Sequence, residues 1–145
     1  MIGFFLKAGD EEVSKMFSPY IWDDFGFATL FEKKFLNKGY GKDLKQLLIM
    51  YYVEGKFDVH GPEAPKISNY SNKNRDISVA ITVRADQFHD RSEFDKKEFI
   101  IISTLNALKM VREKLERKKL DINFDELLSD VTSVVNEYLK YETKI

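Results

Sequence analysis

The spacing of apolar residues changes period close to residue 90, and that change limits the folds open to the chain. Before it, Ile77, Val79, Ile81 and Val83 alternate with Ser78, Ala80, Thr82 and Arg84, the two-residue period of a half-buried strand. After it, Ile101, Leu105, Leu108, Val111 and Leu115 recur at helical spacing, behind a cap formed by Ser92 with Asp95. A second cap, Asn123 with Glu126, opens a stripe of Leu127, Leu128, Val131, Val134, Val135 and Tyr138. Strand signals also fill the earlier part. Phe27, Phe31 and Phe35 fall on one side of an extended segment, and LLIMYYV (47–53) is apolar on both sides, as a central strand covered on two faces would be. The loop LNKGYGKD (36–43) has the glycines a hairpin needs. A short edge strand is expected near Ile67–Tyr70, within the connection 61–74. Strands first and helices last predict an α+β fold: an antiparallel β-sheet of about four strands in the N-terminal two thirds, packed by two C-terminal amphipathic helices. A single domain is expected over 1–145, with the sheet part at about 1–86 and the helical part at about 92–141.

Composition narrows the function classes. At 43% hydrophobic and 14% aromatic the chain is of globular type. With no cysteine, disulfides, thiolate metal sites and thiol nucleophiles are excluded. No apolar run has the length of a membrane helix, and Ile2–Leu6 is too short for a signal-peptide core, so a cytoplasmic location without membrane contact is expected. A net charge of −1 leaves no electrostatic footprint for nucleic acid. The one basic run, Lys109–Lys119, is followed by Asp121, Asp125, Glu126 and Asp130. Cations at one helix end and anions at the next helix start suit the two macrodipoles, so nucleic-acid binding is not expected.

Catalytic and metal motifs are missing. Nucleophile elbows and phosphate loops do not occur. The two histidines lie in DVHGPE, where His60 has Asp58 and Glu63 nearby, and in ADQFHDRSE, where His89 has Asp86, Asp90 and Glu93. Neither stretch matches a zinc spacing, and Asp90 and Glu93 are accounted for by the start of the following helix. No cofactor, no metal and no enzyme activity are expected. The alternative is a small ligand-binding or hydrolytic domain using the Asp86/His89/Asp90 loop.

The remaining feature is PYIWDDFGFATLF (19–31), which carries the only tryptophan, Trp22. Read as the approach to a strand, Pro19 stiffens it, Asp23 or Asp24 closes a turn, and Gly26 marks a bulge or close backbone approach. Asp23 and Asp24 then point to opposite faces and cannot act as a dyad.

The pattern W-D-D-F-G-F-x-T-x-F, Trp22–Phe31, resembles the small bacterial immunity proteins that accompany polymorphic or LXG-type toxins. Some of those continue with a glycine-rich, I-G-x-V-K-I-like strand, where this chain has QLLIMYYVEGKF. The resemblance implies a non-enzymatic protein that binds and occludes one cognate toxin domain. If that domain is a nuclease, its phosphate-binding surface is positive and an acidic patch is the natural complement. Asp10, Glu11, Glu12, Asp23 and Asp24 would form the patch. Tyr20, Trp22, Asp23, Asp24 and Tyr40 are the expected partner-binding residues, since aromatic anchors dominate such interfaces. Partner identity and oligomeric state are not legible.

Overall fold

The computed structural model describes residues 3–8, 11–53 and 65–140. Strand β1 (Gly3–Ala8) is followed by helices α1 (Glu11–Ile21) and α2 (Phe27–Phe35). Strand β2 (Gln46–Val53), the two-residue β3 (Lys66–Ile67) and β4 (Asp76–Val83) come next. A short helix α3 (Ala85–His89) then leads to the long α4 (Glu93–Leu115) and α5 (Phe124–Lys140). The sheet order is β1-β2-β4-β3.

The α+β class, the central position of β2, the edge strand near Ile67 and both C-terminal helices stand as the sequence predicts. The antiparallel sheet does not. β1 runs parallel to β2, with Gly3 beside Gln46, and β2 runs parallel to β4, with Leu47 beside Ile77. Only the short β3 is antiparallel. For the β1–β2 pair the cause lies in residues 11–35, which are helical rather than extended. A helical crossover between neighbouring strands returns the chain to the same end of the sheet and makes the pair parallel. Phe27 and Phe31 are buried with Ala28 and Leu30 on one face of α2, while Glu32, Lys33 and Lys34 are exposed.

Register decides what each strand buries. Leu47, Ile49 and Tyr51 of β2 lie beside Ile77, Val79 and Ile81 of β4, and all six are buried. Tyr51 shows which elements cover them. Its ring lies 5.1 Å from Phe17 of α1, and its hydroxyl is 2.8 Å from Ser103 Oγ of α4. The opposite face, with Leu48, Met50, Tyr52, Ala80 and Thr82, is only half-buried. The second cover expected for LLIMYYV is therefore partial.

The helices lock to one another through aromatic and backbone contacts. Phe27 of α2 meets Tyr138 of α5 edge to face at 5.1 Å. The loop expected to be a hairpin tip is the α2–β2 connection, and it is clipped to the α4–α5 loop. Asn123 N–H donates to the Tyr40 carbonyl at 2.7 Å, and Asp121 N–H donates to the Asp43 carboxylate at 2.7 Å. Gly41 sits there at φ +112°, and a Cβ would overlap the Asp121 carbonyl. Only glycine meets both demands. Among the described residues no helix is long and apolar enough to cross a membrane.

Candidate functional site

Trp22 to Gly26 form the turn between α1 and α2, so the strand approach expected here is a helix-to-helix corner. Pro19 has no N–H to continue the helical ladder, and α1 ends two residues later at Ile21. The Ser18 carbonyl accepts from both Trp22 N–H (3.1 Å) and Asp23 N–H (2.9 Å). Asp23 is tied in place as well: its carboxylate accepts from the Ser18 hydroxyl at 3.0 Å and its carbonyl from Gly26 N–H at 2.7 Å. Thr29 closes the corner by donating to the Trp22 carbonyl at 2.9 Å. A Cβ on Gly26 would overlap the Ile21 carbonyl. The close backbone approach expected at this glycine is present, though between helices.

The corner presents charge and apolar surface together. Asp23 and Asp24 are exposed, and among the described residues nothing partners the Asp24 carboxylate. Phe25 beside them is 39% exposed, while Trp22 is half-buried against the core. The aspartates are not on opposite faces of a strand, so both can contribute to one negative lip.

Tyr20, one turn back, joins this lip to the rest of the same end. Its ring is 2% exposed, and its hydroxyl donates to Glu93, the first residue of α4, at 2.9 Å. Burial, together with the Glu93 carboxylate, lifts the Tyr20 phenol far above its ordinary range. Next to Glu93, Phe94 is 57% exposed. On its other side Tyr20 meets Phe88 of α3 edge to face, with centroids 5.7 Å apart. Phe88 floors a cavity of about 360 Å³ whose wall carries Thr82, Arg84, Gln87, Arg91 and Phe99. The corner, α3 and the start of α4 thus form one end of the molecule. Sequence reading missed Phe94, Arg84 and Arg91. The signal for the arginines was the placing of ADQFHD between two cations, with one turn of helix to fold them back together.

Tyr40 lies apart from this end. It is 2% exposed, and its hydroxyl donates to Asp130 of α5 at 2.8 Å. Lys38 bridges Asp130 (2.6 Å) and Glu126 (2.7 Å), which raises its own pKa. Burial and Asp130 hold the Tyr40 phenol well above its usual range. This network fastens the α2–β2 connection to α5. Of the five expected partner-binding residues, Trp22, Asp23 and Asp24 reach the surface, and the rings of Tyr20 and Tyr40 lie inside.

The other sequence candidates separate in the same way. Asp86, His89 and Asp90 are exposed, and none lines the cavity beside α3. Among the described residues no group of three or more His, Asp or Glu could hold a metal. His60, Asp58, Glu63 and Asp10 lie outside the described residues, as do the side chains of Glu11 and Glu12. Part of the basic run is used internally. Arg112 pairs with Asp125 at 2.7 Å, and Lys114 donates to the Ser68 carbonyl at 2.8 Å.

No curated protein and no solved structure matches the chain. A family model does, that of Immunity protein 44, over residues 3–137. That span runs from β1 almost to the end of α5 and includes the corner, the cavity and the Lys38–Asp130 network. Such families neutralise toxins and are typically non-enzymatic. The chain belongs to the Immunity protein 44 family.

Proposed function

We propose that this immunity protein binds its cognate toxin domain directly and occludes it, using the end of the molecule at the α1–α2 corner. Family membership over residues 3–137 carries the toxin partner. Support for the surface comes from Asp23 and Asp24 exposed beside Phe25, with Phe94 exposed on the neighbouring turn of α4. Apolar rings flanked by charge combine anchoring area with steering, the pattern of a protein interface. The toxin face that fits the aspartate lip is positive, as a nuclease surface is.

The test is affinity purification of the tagged protein from its host, washed at low and high salt. The expected result is one stoichiometric partner that is toxic when expressed alone and neutralised on co-expression. Binding of Asp23→Ala/Asp24→Ala to that partner should be at least tenfold weaker, with an unchanged circular dichroism spectrum and melting curve. A folded double variant with full affinity would place the interface elsewhere.

A further inference from the structure

Three helices meet behind the corner, and each supplies a bonding partner to the end of another. Tyr20 lies in the last turn of α1 and Tyr138 in the last turn of α5. The final carbonyls of an α-helix have no N–H of their own helix to accept from. Here side chains from neighbouring helices serve two of them. The Tyr138 hydroxyl donates to the Tyr20 carbonyl at 2.8 Å, and Lys97 Nζ of α4 donates to the Tyr138 carbonyl at 3.0 Å. The ring of bonds closes at Glu93, the first residue of α4, whose carboxylate accepts from the Tyr20 hydroxyl. Glu93 and Lys97 stand one helical turn apart, the spacing at which opposite charges share a helix face.

Burial gives these bonds their weight. Tyr20, Lys97 and Tyr138 are all buried, so a donor or acceptor that loses its partner there has no water to turn to. The Lys97 ammonium also lies 5.0 Å from the centre of the Tyr138 ring, a cation–π contact that holds the ring in place. Burial lowers the pKa of Lys97, and Glu93 opposes that shift. Tyr138 has a second grip. Its ring packs edge to face on Phe27, the first residue of α2. One side chain thus touches both stems of the corner, the last turn of α1 through its hydroxyl and the first turn of α2 through its ring.

The surface proposed above draws on two distant parts of the chain, Asp23, Asp24 and Phe25 at the corner and Phe94 on α4. We propose that Tyr138, backed by Lys97, is a positioning residue for that surface, holding both stems of the corner and setting them against the start of α4. Being buried, the two residues act through Tyr20, Phe27 and Glu93 rather than by touching the toxin. To that extent the proposal rests on the toxin-binding reading. A surface already held in its bound pose loses less freedom on association, so loosening the ring weakens binding although no contact residue changes.

Hydrogen exchange reads the corner without any toxin, because the Trp22, Asp23 and Gly26 amides are all bonded within it. Tyr138→Phe removes the hydroxyl and keeps the ring on Phe27. Well below the melting range, those three amides should exchange roughly tenfold faster in this variant than in the wild type. Lys97→Met, a second variant that keeps an unbranched apolar stem, should speed them in the same direction. Tyr40→Phe is the control, since it loses a buried tyrosine bond on the Asp130 side of the molecule and should leave the corner amides unchanged. Affinity for the purified toxin partner should fall about fivefold in Tyr138→Phe and hold in Tyr40→Phe, whereas a purely structural role would move both alike. Corner exchange unchanged in both Tyr138→Phe and Lys97→Met, or raised equally by Tyr40→Phe, would overturn the proposal. So would full affinity in Tyr138→Phe where Asp23→Ala/Asp24→Ala binds weakly. Full affinity in that double variant is a separate failure, of the surface itself, and removes the positioning role whatever the exchange rates.

Discussion

At the scale of single residues, buried phenols account for much of the chain's response to its surroundings. Tyr20, Tyr40, Tyr51, Tyr70 and Tyr138 all hold their protons above the ordinary value of 10.0, in each case mainly through burial. A group whose pKa is raised by folding contributes stability that is intact below the unfolded value and lost as pH rises past it. Lys38, raised by Asp130 and Glu126, works in the same direction, while Lys97, lowered by burial, opposes them. Stability should therefore fall once pH rises above about 10. An absorbance titration near 295 nm should show these tyrosines ionising together with the loss of circular dichroism. Ionisation of all seven tyrosines near pH 10 in a still-folded protein would contradict this. Tyr40→Phe should cost about 1–2 kcal/mol in urea unfolding, because Asp130 loses a donor but keeps Lys38. Gly26→Ala should cost about 1–3 kcal/mol, since backbone must move to admit the Cβ. The sequence marked the close backbone approach at Gly26 because it follows from local chain geometry, but it set Asp23 and Asp24 on a strand where the chain turns between two helices. It could not place Tyr20 or Tyr40, whose rings turn inward to meet Glu93 and Asp130 from distant helices.

At the scale of elements, caps were legible and one period was not. Ser92 Oγ accepts from Asp95 N–H at 3.2 Å, and Asn123 Oδ1 accepts from Glu126 N–H at 3.0 Å while its Nδ2 donates to the Glu126 carboxylate at 3.1 Å. These signatures are local, so sequence carries them in full. Ser92→Ala should destabilise by about 1 kcal/mol, read from the urea midpoint at constant m-value. Phe27, Phe31 and Phe35 misled because a spacing of four is even, as a strand needs, and also close to one helical turn. The charges between them could have decided the matter. A strand places Lys33 on the phenylalanine face, whereas a helix groups Glu32, Lys33 and Lys34 outside, as observed. Phe31→Ala should cost about 3–5 kcal/mol, more than any cap, because it empties the packed face of α2. That element also carried part of the larger error, since without a helical crossover β1 and β2 had no reason to be parallel.

At the scale of the whole molecule, the parallel register dictates an order of assembly. Helices α4 and α5 are neighbours in sequence and pack on each other, so their pairing closes only a short loop. The sheet has no such shortcut. β1 cannot pair until α1 and α2 have been laid across the gap to β2, and β2 must then wait for β4. Topologies built from distant contacts fold slowly. Refolding should therefore show helical ellipticity rising ahead of Trp22 fluorescence, because the single tryptophan stands at the corner of that first crossover. Coincident single-exponential traces would instead mean that corner and helix pair form in one step. A chain emerging N-terminus first holds β1 and its two helices well before their partner strands exist. Until β4 is made, the apolar sides of α1 and α2 have little sheet to cover. For a member of a toxin-neutralising family, the closing of β2 onto β4 is then a step that has to precede protection.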